Sequence, residues 1–304
     1  MTDLIPTARG YVNTWQCDEN DHLNVQFFTA LADDASAFLG HALGLGPAAL
    51  RAAGLTIRPV EDHIRYHRDL RAEDTVQVVS GAVEIADGAL STYHELRNLY
   101  SGGIAATVRR RSRLEDADGR AIEWPAALAA AVAARRVVVP EIARARSTGR
   151  IADAPKLTLD MAEAAGLIEI CADVVKPEEC DAAERMRPRF HFARYSDGAP
   201  SLWHALGFDR VAMRERRMGS IVLELRQLYV APPRSGTPLS LRTGIVGIGD
   251  KTLDVLHCLF DAESGALVGW AEGAAALFDQ AARKLAPLPA SERTRLTARL
   301  ARLP

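Results

Sequence analysis

Apolar residues fall into two rhythms along the chain, and each rhythm predicts an element. Val25, Phe28, Leu31, Ala32, Ala35, Phe38, Leu39 and Ala42 recur at three- and four-residue spacing, which predicts one long helix with a wide apolar face. Asn24 stands just ahead of the pattern as an N-cap, and Gly44 and Gly46 end it. Before the helix, Gly10 to Trp15 reads as a short strand and Cys17 to His22 as a polar loop. After it, Thr56–His67, Thr75–Ile85, Leu90–Leu99 and Ile104–Leu114 read as strands. Ala86-Asp87-Gly88 and Ser101-Gly102-Gly103 supply tight-turn residues, so the last three strands form a meander. Strand, long helix and four strands together predict an α+β fold with an antiparallel sheet wrapped around a central helix.

The same order returns further along. A strand near Leu167–Val175 precedes a helix over Phe190–Leu206, and strands follow near Ile221–Val230, Leu239–Ile248, Thr252–Phe260 and Leu267–Phe278. A shift of 163 positions superposes the two patterns without a gap. His41-Ala42-Leu43-Gly44 falls on His204-Ala205-Leu206-Gly207, Cys17-Asp18 on Cys180-Asp181, and Glu61 on Glu224. Tyr66 falls on Tyr229, Gly81 on Gly244, Asp87 on Asp250, His94 on His257, and Ser101-Gly102 on Ser264-Gly265. A repeat of this length is a duplicated domain, since solenoid units run to about 20–50 residues. The expected division is a first domain over 1–120, a linker over 121–160, a second domain over 161–282 and a tail over 283–304. The linker carries an Ala-rich helix, Ala126–Arg136, and a polar stretch through Ala154; the tail carries a short surface helix, Ser291–Leu303.

Composition narrows the classes. With 304 residues, 48% hydrophobic and 25% charged, the chain has core enough for two globular domains. A net charge of −2 gives no field to recruit nucleic acid or an anionic membrane. No apolar run approaches the ~20 residues of a membrane span, and the N-terminus lacks signal-peptide regions. Cys17, Cys171, Cys180 and Cys258 show neither C-x-x-C nor zinc spacing. A reduced, cytoplasmic protein without a metal is the expectation.

Chemistry concentrates in Trp15-Gln16-Cys17-Asp18-Glu19-Asn20-Asp21-His22-Leu23-Asn24-Val25. This loop resembles the first-loop motif of hotdog-fold acyl-CoA thioesterases of the 4-hydroxybenzoyl-CoA thioesterase-like family. Their pattern is roughly D-x-x-G-H-(V/M)-N with an aromatic four residues on; Asp18, His22, Leu23, Asn24 and Phe28 fall on it. His63 to Leu70 with Glu73-Asp74-Thr75-Val76 resembles the family's second strand and its GD-x-V turn. The resemblance covers about residues 9–115 and, through the repeat, 172–279. It implies two tandem hotdog domains paired as an internal pseudo-dimer. It also implies hydrolysis of an acyl-CoA, or acyl-carrier-protein, thioester, with coenzyme A entering as part of the substrate and no other cofactor. Asp21 and Glu73 depart from the family by standing where it has glycine; at Asp21 either the backbone differs or the site carries an extra acid.

The chemical logic also stands without the family. Thioester hydrolysis needs an activated water or a carboxylate nucleophile, and donors for the oxyanion. A carboxylate in a loop entering a helix N-terminus lies beside free N–H groups and the positive end of the dipole. Asp18 is therefore the candidate base or nucleophile, with the N–H groups near Asn24–Gln26 as oxyanion donors. His22 would hold a water or the acyl head group, and Asn24 would cap the helix and fix the loop. Each has a structural alternative, loop ordering for Asp18 above all. Asp33-Asp34 on the helix offer a second carboxylate, read more readily as one paired and one solvated residue. Cys17 reads as small buried filler, and His94 and His257 as a shared packing or hydrogen-bonding pair.

In the second copy the loop reads Cys180-Asp181-Ala182-Ala183-Glu184-Arg185-Met186-Arg187, so His22 has become Arg185 and Asn24 has become Arg187. Arginine cannot serve as a base at neutral pH. Either this second site has degenerated, with Asp181 kept for loop geometry, or Arg185 and Arg187 face the phosphates of a coenzyme A nucleotide or an acidic acyl group bound near the first site. Arg109 and Arg111, on one face of a strand with Arg113, are further phosphate candidates or else a solvated strand end. The expected partner is a small acyl-CoA molecule, with no nucleic acid, no membrane and a possible homodimer of the whole chain. Two rivals share the fold: a non-catalytic acyl-CoA-binding protein, and a hydratase or dehydratase.

Overall fold

The computed structural model describes residues 4–149 and 156–302. The chain divides into two compact units, residues 1–145 and 146–304. The first unit opens with β1 (Ile5–Tyr11) and the long helix α1 (Val25–Ala42), followed by the short α2 (Pro47–Ala52). Strands β2 (Thr56–Tyr66), β3 (Thr75–Ala86), β4 (Ala89–Asn98) and β5 (Ile104–Glu115) follow, then a two-residue β6 (Ala121–Ile122) and helix α3 (Ala126–Ala134). The sheet is antiparallel in the order β1-β3-β4-β5-β2, with β6 pairing β5. Helix α1 packs on β1, β3 and β4 through buried Phe28, Ala32, Ala35 and Leu39. Phe38 and Ala42, expected on that face, lie outside it, and Phe38 is 61% exposed. Helix α3 packs on β3 and adds Leu128 and Val132 to a cluster with Ala82, Leu90 and Leu114.

The second unit begins with α4 (Leu159–Ala164), β7 (Ile168–Val174), α5 (Arg189–Ala205) and α6 (Arg210–Glu215). Strands β8 (Met218–Tyr229), β9 (Pro238–Ile248), β10 (Thr252–Asp261) and β11 (Leu267–Asp279) complete its sheet, with a short β12 (Lys284–Leu285) and helix α7 (Ala290–Thr297) after them. Its order is β7-β9-β10-β11-β8, the first sheet's order repeated.

The duplication reaches below the level of elements. Each sheet has four β-bulges, at Thr7, Val60, Val83 and Ala105 in the first unit. Those of the second are at Ile170, Leu223, Val246 and Val268, and every one falls at the 163-residue offset. A bulge bends its strand and increases local twist, so the curvature that wraps each sheet around its helix is inherited position by position. Left-handed backbone is inherited too, at Asp21 and Glu184 (φ 58° each) and at Glu73 and Gly236 (φ 75° and 87°). The glycine departures therefore leave the backbone course intact, and Asp21 is simply exposed.

Left-handed backbone costs a non-glycine residue about 1–2 kcal/mol. Part of any gain from glycine is lost to its freer unfolded chain. Glu73→Gly, the second copy's own choice, is expected to stabilise the protein by about 0.5–1 kcal/mol. The shift of its urea midpoint against the parent measures this.

Some sequence boundaries move. The first strand runs over Ile5–Tyr11 rather than Gly10–Trp15. Residues Thr14–Gln16 form a 3-10 turn instead, because the Gln16 side chain accepts both the Asn13 N–H (2.8 Å) and its Nδ2 (3.0 Å). The expected linker is held down at several points. Val137 closes over Gly81, and Arg65 donates to the carbonyl of Ile142 (2.6 Å). Within the second unit, the N–H groups of Arg146 and Ser147 and the Thr148 hydroxyl donate to the buried Glu224 (2.7–3.2 Å). The rest of the polar stretch, 150–155, and Leu303 of the expected tail helix lie outside the described residues.

Candidate active site

In the first unit, the segment from Cys17 to Leu23 folds back on itself at the entrance to α1. Cys17 and Leu23 form an antiparallel bridge; Asp18 N–H donates to His22 O (2.9 Å), and Asp21 N–H to Asp18 O (3.1 Å). Leu23 N–H donates to Leu70 O (2.7 Å), tying the loop to the turn before β3. One oxygen of Asp18 accepts the Asn20 N–H (2.8 Å), and the other lies 3.3 Å from His22 Nδ1. Both side chains are less than a fifth exposed. Burial pushes the Asp18 carboxyl above its ordinary range, with His22 pulling the other way.

The pair has a chemical consequence. An imidazole that gives Nδ1 to a carboxylate keeps one tautomer and turns Nε2 outward as an acceptor. Asn24 accepts the Gln26 N–H on its side chain (3.2 Å), and Phe27 N–H goes to Asn24 O (3.0 Å). Asn24 is thus a helix cap, and Gln26, expected as an oxyanion donor, is already engaged. Cys17 is half-buried rather than buried, with its thiol raised by desolvation and directed at Asn13 O (3.7 Å).

The second loop repeats this course with different side chains. Asp181 N–H donates to Arg185 O (2.8 Å) and Glu184 N–H to Asp181 O (3.0 Å). Asp181 accepts from Ala183 N–H (2.8 Å), and Arg185 Nε lies 3.5 Å from its other oxygen. Loop ordering by the aspartate is therefore common to both copies; the imidazole belongs to the first alone. Arg187, in Asn24's place, is exposed. The second loop is also anchored from beneath. Buried Arg194 on α5 reaches Asp173 (2.9 Å), Glu179 (2.8 Å) and Phe190 O (3.0 Å), where the first copy has Leu31, Gly10, Gln16 and Phe27. Arg109 is exposed on β5, and Arg111 pairs with Glu61 (3.4 Å).

Asp33 and His94, both singled out from the sequence, meet in a charged cluster beneath α1 whose centre, the Arg110–Asp62 pair, the sequence reading missed. Arg110, 3% exposed, holds the fully buried Asp62 through two hydrogen bonds (2.7 Å each). Its remaining amino group lies 2.7 Å from Asp33 and donates to Ser36 Oγ (3.2 Å). Ser36 Oγ lies 3.4 Å from His94 Nε2, while His94 Nδ1 meets Ser80 Oγ (2.7 Å). Asp33, 24% exposed, is raised to about 6, chiefly by burial, with Arg110 opposing. The hydroxyls of Thr29 and Tyr66 are buried without a hydrogen-bond partner among the described residues. Of this cluster the second unit keeps the His94–Ser80 pair, as His257–Thr243 (2.8 Å), and Tyr66, as Tyr229, but not the charges. Ser196, Leu225 and Gly273 replace Asp33, Asp62 and Arg110.

These groups set an acid response that differs between the units. Burial lowers His94 and His191 to about 3 and His257 to about 4, against an unfolded value of about 6.5. A lowered folded pKa gives stability that is present above about pH 6.5 and is lost as pH falls toward the folded value. Asp33 has the opposite sign, because its folded pKa lies above the unfolded one, so protonation below about pH 6 relieves the fold. In the first unit His94 and Asp33 nearly cancel. In the second, His191 and His257 add, and among the described residues only Asp197, raised by desolvation, opposes them, so falling pH costs this unit more. Amide exchange compared at pH 7 and 5 is expected to show protection falling more steeply in 156–302 than in 4–145; equal losses would contradict this.

Comparison with known proteins agrees with the geometry. The family model described as Thioesterase-like superfamily matches residues 12–132 and again 175–296, the two matches beginning at the repeat offset. No curated protein matches the chain. Among solved structures, one assigned as an oleoyl thioesterase from Lactobacillus plantarum superposes with a TM-score of 0.68 at 14% identity, covering 90% of this chain and 96% of that one. The 12:0-ACP thioesterase of Umbellularia californica gives 0.66 at 12%, over 90% and 93%. An acyl-ACP thioesterase of Bacteroides thetaiotaomicron gives 0.62 at 11%, over 88% and 96%. At such identities the likeness establishes the fold, two hotdog domains in tandem. The family model, matched twice over about four-fifths of the chain, establishes more: this protein belongs to the thioesterase-like superfamily.

Proposed function

We propose that the chain hydrolyses an acyl thioester, carried on coenzyme A or an acyl carrier protein, at the loop from Asp18 to Asn24. The observation that carries this is the Asp18–His22 pair (3.3 Å) at the N-terminus of α1, present in one copy only. Asp18 orients the imidazole, and Nε2 takes a proton from the water that attacks the thioester carbonyl. The Val25 N–H and the helix dipole face the developing oxyanion. Collapse of the tetrahedral intermediate breaks the C–S bond, and the thiolate leaves with the proton held by His22. The mechanism needs no metal, and coenzyme A takes part only as substrate. The names of the structural neighbours, two of them acyl-ACP thioesterases, support an acyl thioester as the substrate class.

A second reading places the acting carboxylate at Asp33, favoured by its pKa of about 6. Such a base gives a kcat that rises to a plateau through about pH 6, and Asp33→Asn abolishes that limb. Under the first reading Asp33→Asn leaves the shape of the profile unchanged. A panel of acyl-CoA and acyl-carrier-protein esters, followed by thiol release, tests hydrolysis itself. Tight binding of an ester with no thiol released would select a binding protein instead.

A further inference from the structure

A groove of about 440 Å³ opens at the end of the first sheet, lined by Arg9, Gly10, Tyr11, Glu73, Thr75 and Tyr100. We infer that it takes the adenine nucleotide of coenzyme A, which makes a coenzyme A ester the substrate of the site proposed above. The inference rests on that reading for the thioester, and on the groove alone for the nucleotide.

Four observations point to a nucleotide. Tyr11 and Tyr100 are 61% and 76% exposed, and both line this one groove. Tyr11 pairs with Thr75 in the ladder, and Leu99 N–H donates to Thr75 O on the other side. Two strand spacings thus separate the chain at Tyr11 from the chain at Leu99–Tyr100, about 10 Å. Thr75 lies on the strand between them, and Tyr11, Thr75 and Tyr100 all line the groove.

The charges fit as well. Arg9, two residues from Tyr11 and so on the same face of β1, is exposed and has no acidic partner among the described residues. It would take a phosphate. Glu73, across the groove, pairs with no cation among them and would accept from the exocyclic amine of adenine. Opposite charges that line one groove without meeting leave a gap for a ligand that joins them.

The second copy dispenses with the whole set. Ala172, Val174, Gly236 and Glu263 stand for Arg9, Tyr11, Glu73 and Tyr100. Position 73 is the telling one, since a strained left-handed glutamate persists where the second copy uses glycine. The turn that carries Glu73 is also tied to the candidate loop by backbone hydrogen bonds. Glu73 N–H donates to Val12 O (2.9 Å), and Leu23 N–H meets Leu70 in the turn leading to Glu73.

The test presents one acyl group as its coenzyme A ester, its pantetheine ester and its acyl-carrier-protein ester, to the full chain and to Tyr100→Ala and Arg9→Glu. The ratio of kcat/KM for the coenzyme A ester over the pantetheine ester is expected to fall about tenfold or more in each variant, in line with the loss of one stacking ring or one phosphate contact. Calorimetry with adenosine 3′,5′-bisphosphate is expected to show binding to the parent and a matching loss in the variants. An unchanged ratio, or a parent that prefers the carrier-protein ester and does not bind the bisphosphate, overturns the inference while leaving hydrolysis intact. Bisphosphate binding at the groove without release of any thiol would instead overturn the hydrolytic reading alone.

Discussion

Asp18→Asn is expected to lower kcat for thioester hydrolysis by about 10²–10⁴-fold with the fold retained. The substitution is chosen for what it keeps. An asparagine oxygen can still accept the Asn20 N–H that Asp18 accepts at 2.8 Å, so the loop turn survives. It cannot offer a charge to His22 Nδ1, now 3.3 Å away, and the imidazole loses its tautomer and its support as it protonates. His22→Ala removes the base itself and is expected to cost a similar factor. Because the two act as a unit, the double variant should be little worse than either single one. Losses that simply multiply would show that Asp18 and His22 act separately. Steady-state thiol release, with circular dichroism to confirm the fold, supplies both readings.

The second large effect is on stability. Arg110→Met is expected to destabilise the first unit by about 3–5 kcal/mol, since it strands a fully buried carboxylate. The second copy shows the apolar solution to the same position. Asp62 and Arg110 face each other across β2 and β5, and Leu225 and Gly273 occupy the equivalent places across β8 and β11. A side chain on Gly273 would meet Leu225 Cδ2 at 2.6 Å, so the leucine fills the space that the arginine side chain takes in the first copy. The triple variant Asp33→Ser/Asp62→Leu/Arg110→Gly is therefore expected to lie within about 2 kcal/mol of the parent, far above the single variant. Denaturant titration of the parent, the single and the triple variant measures this. A triple variant as unstable as Arg110→Met would mean that the cluster is irreplaceable in its setting.

Much of the fold was legible because strong periodic patterns were written twice. The helix from Val25 to Ala42 and the four strands after it follow from spacing alone, and the repeat confirms each by its partner. The start of the chain was not legible in this way. Gln16 reaches back to Asn13 through a side-chain hydrogen bond, which leaves no trace in a hydropathy pattern, so that pattern puts the first strand too late. Phe38 matched the helical period yet is exposed, since a period marks a stripe without fixing its edges.

The candidate loop was legible through a motif, and its geometry settled what spacing could not: Asn24 spends its side chain on the Gln26 N–H. The Arg110 cluster was within reach of the sequence. Alternation that points Arg109, Arg111 and Arg113 outward must point Arg110 inward, and a buried arginine demands an acid. Which acid depends on the register of β2 against β5, set by the bulge at Val60, and that no single sequence declares.

The central claim is that one of two inherited loops does the chemistry. Thiol release measured side by side for the parent, Asp18→Asn and Asp181→Asn tests it most directly. The account predicts a loss of two or more orders of magnitude for Asp18→Asn and turnover close to the parent's for Asp181→Asn. Full activity in Asp18→Asn, or equal losses in both variants, would contradict it.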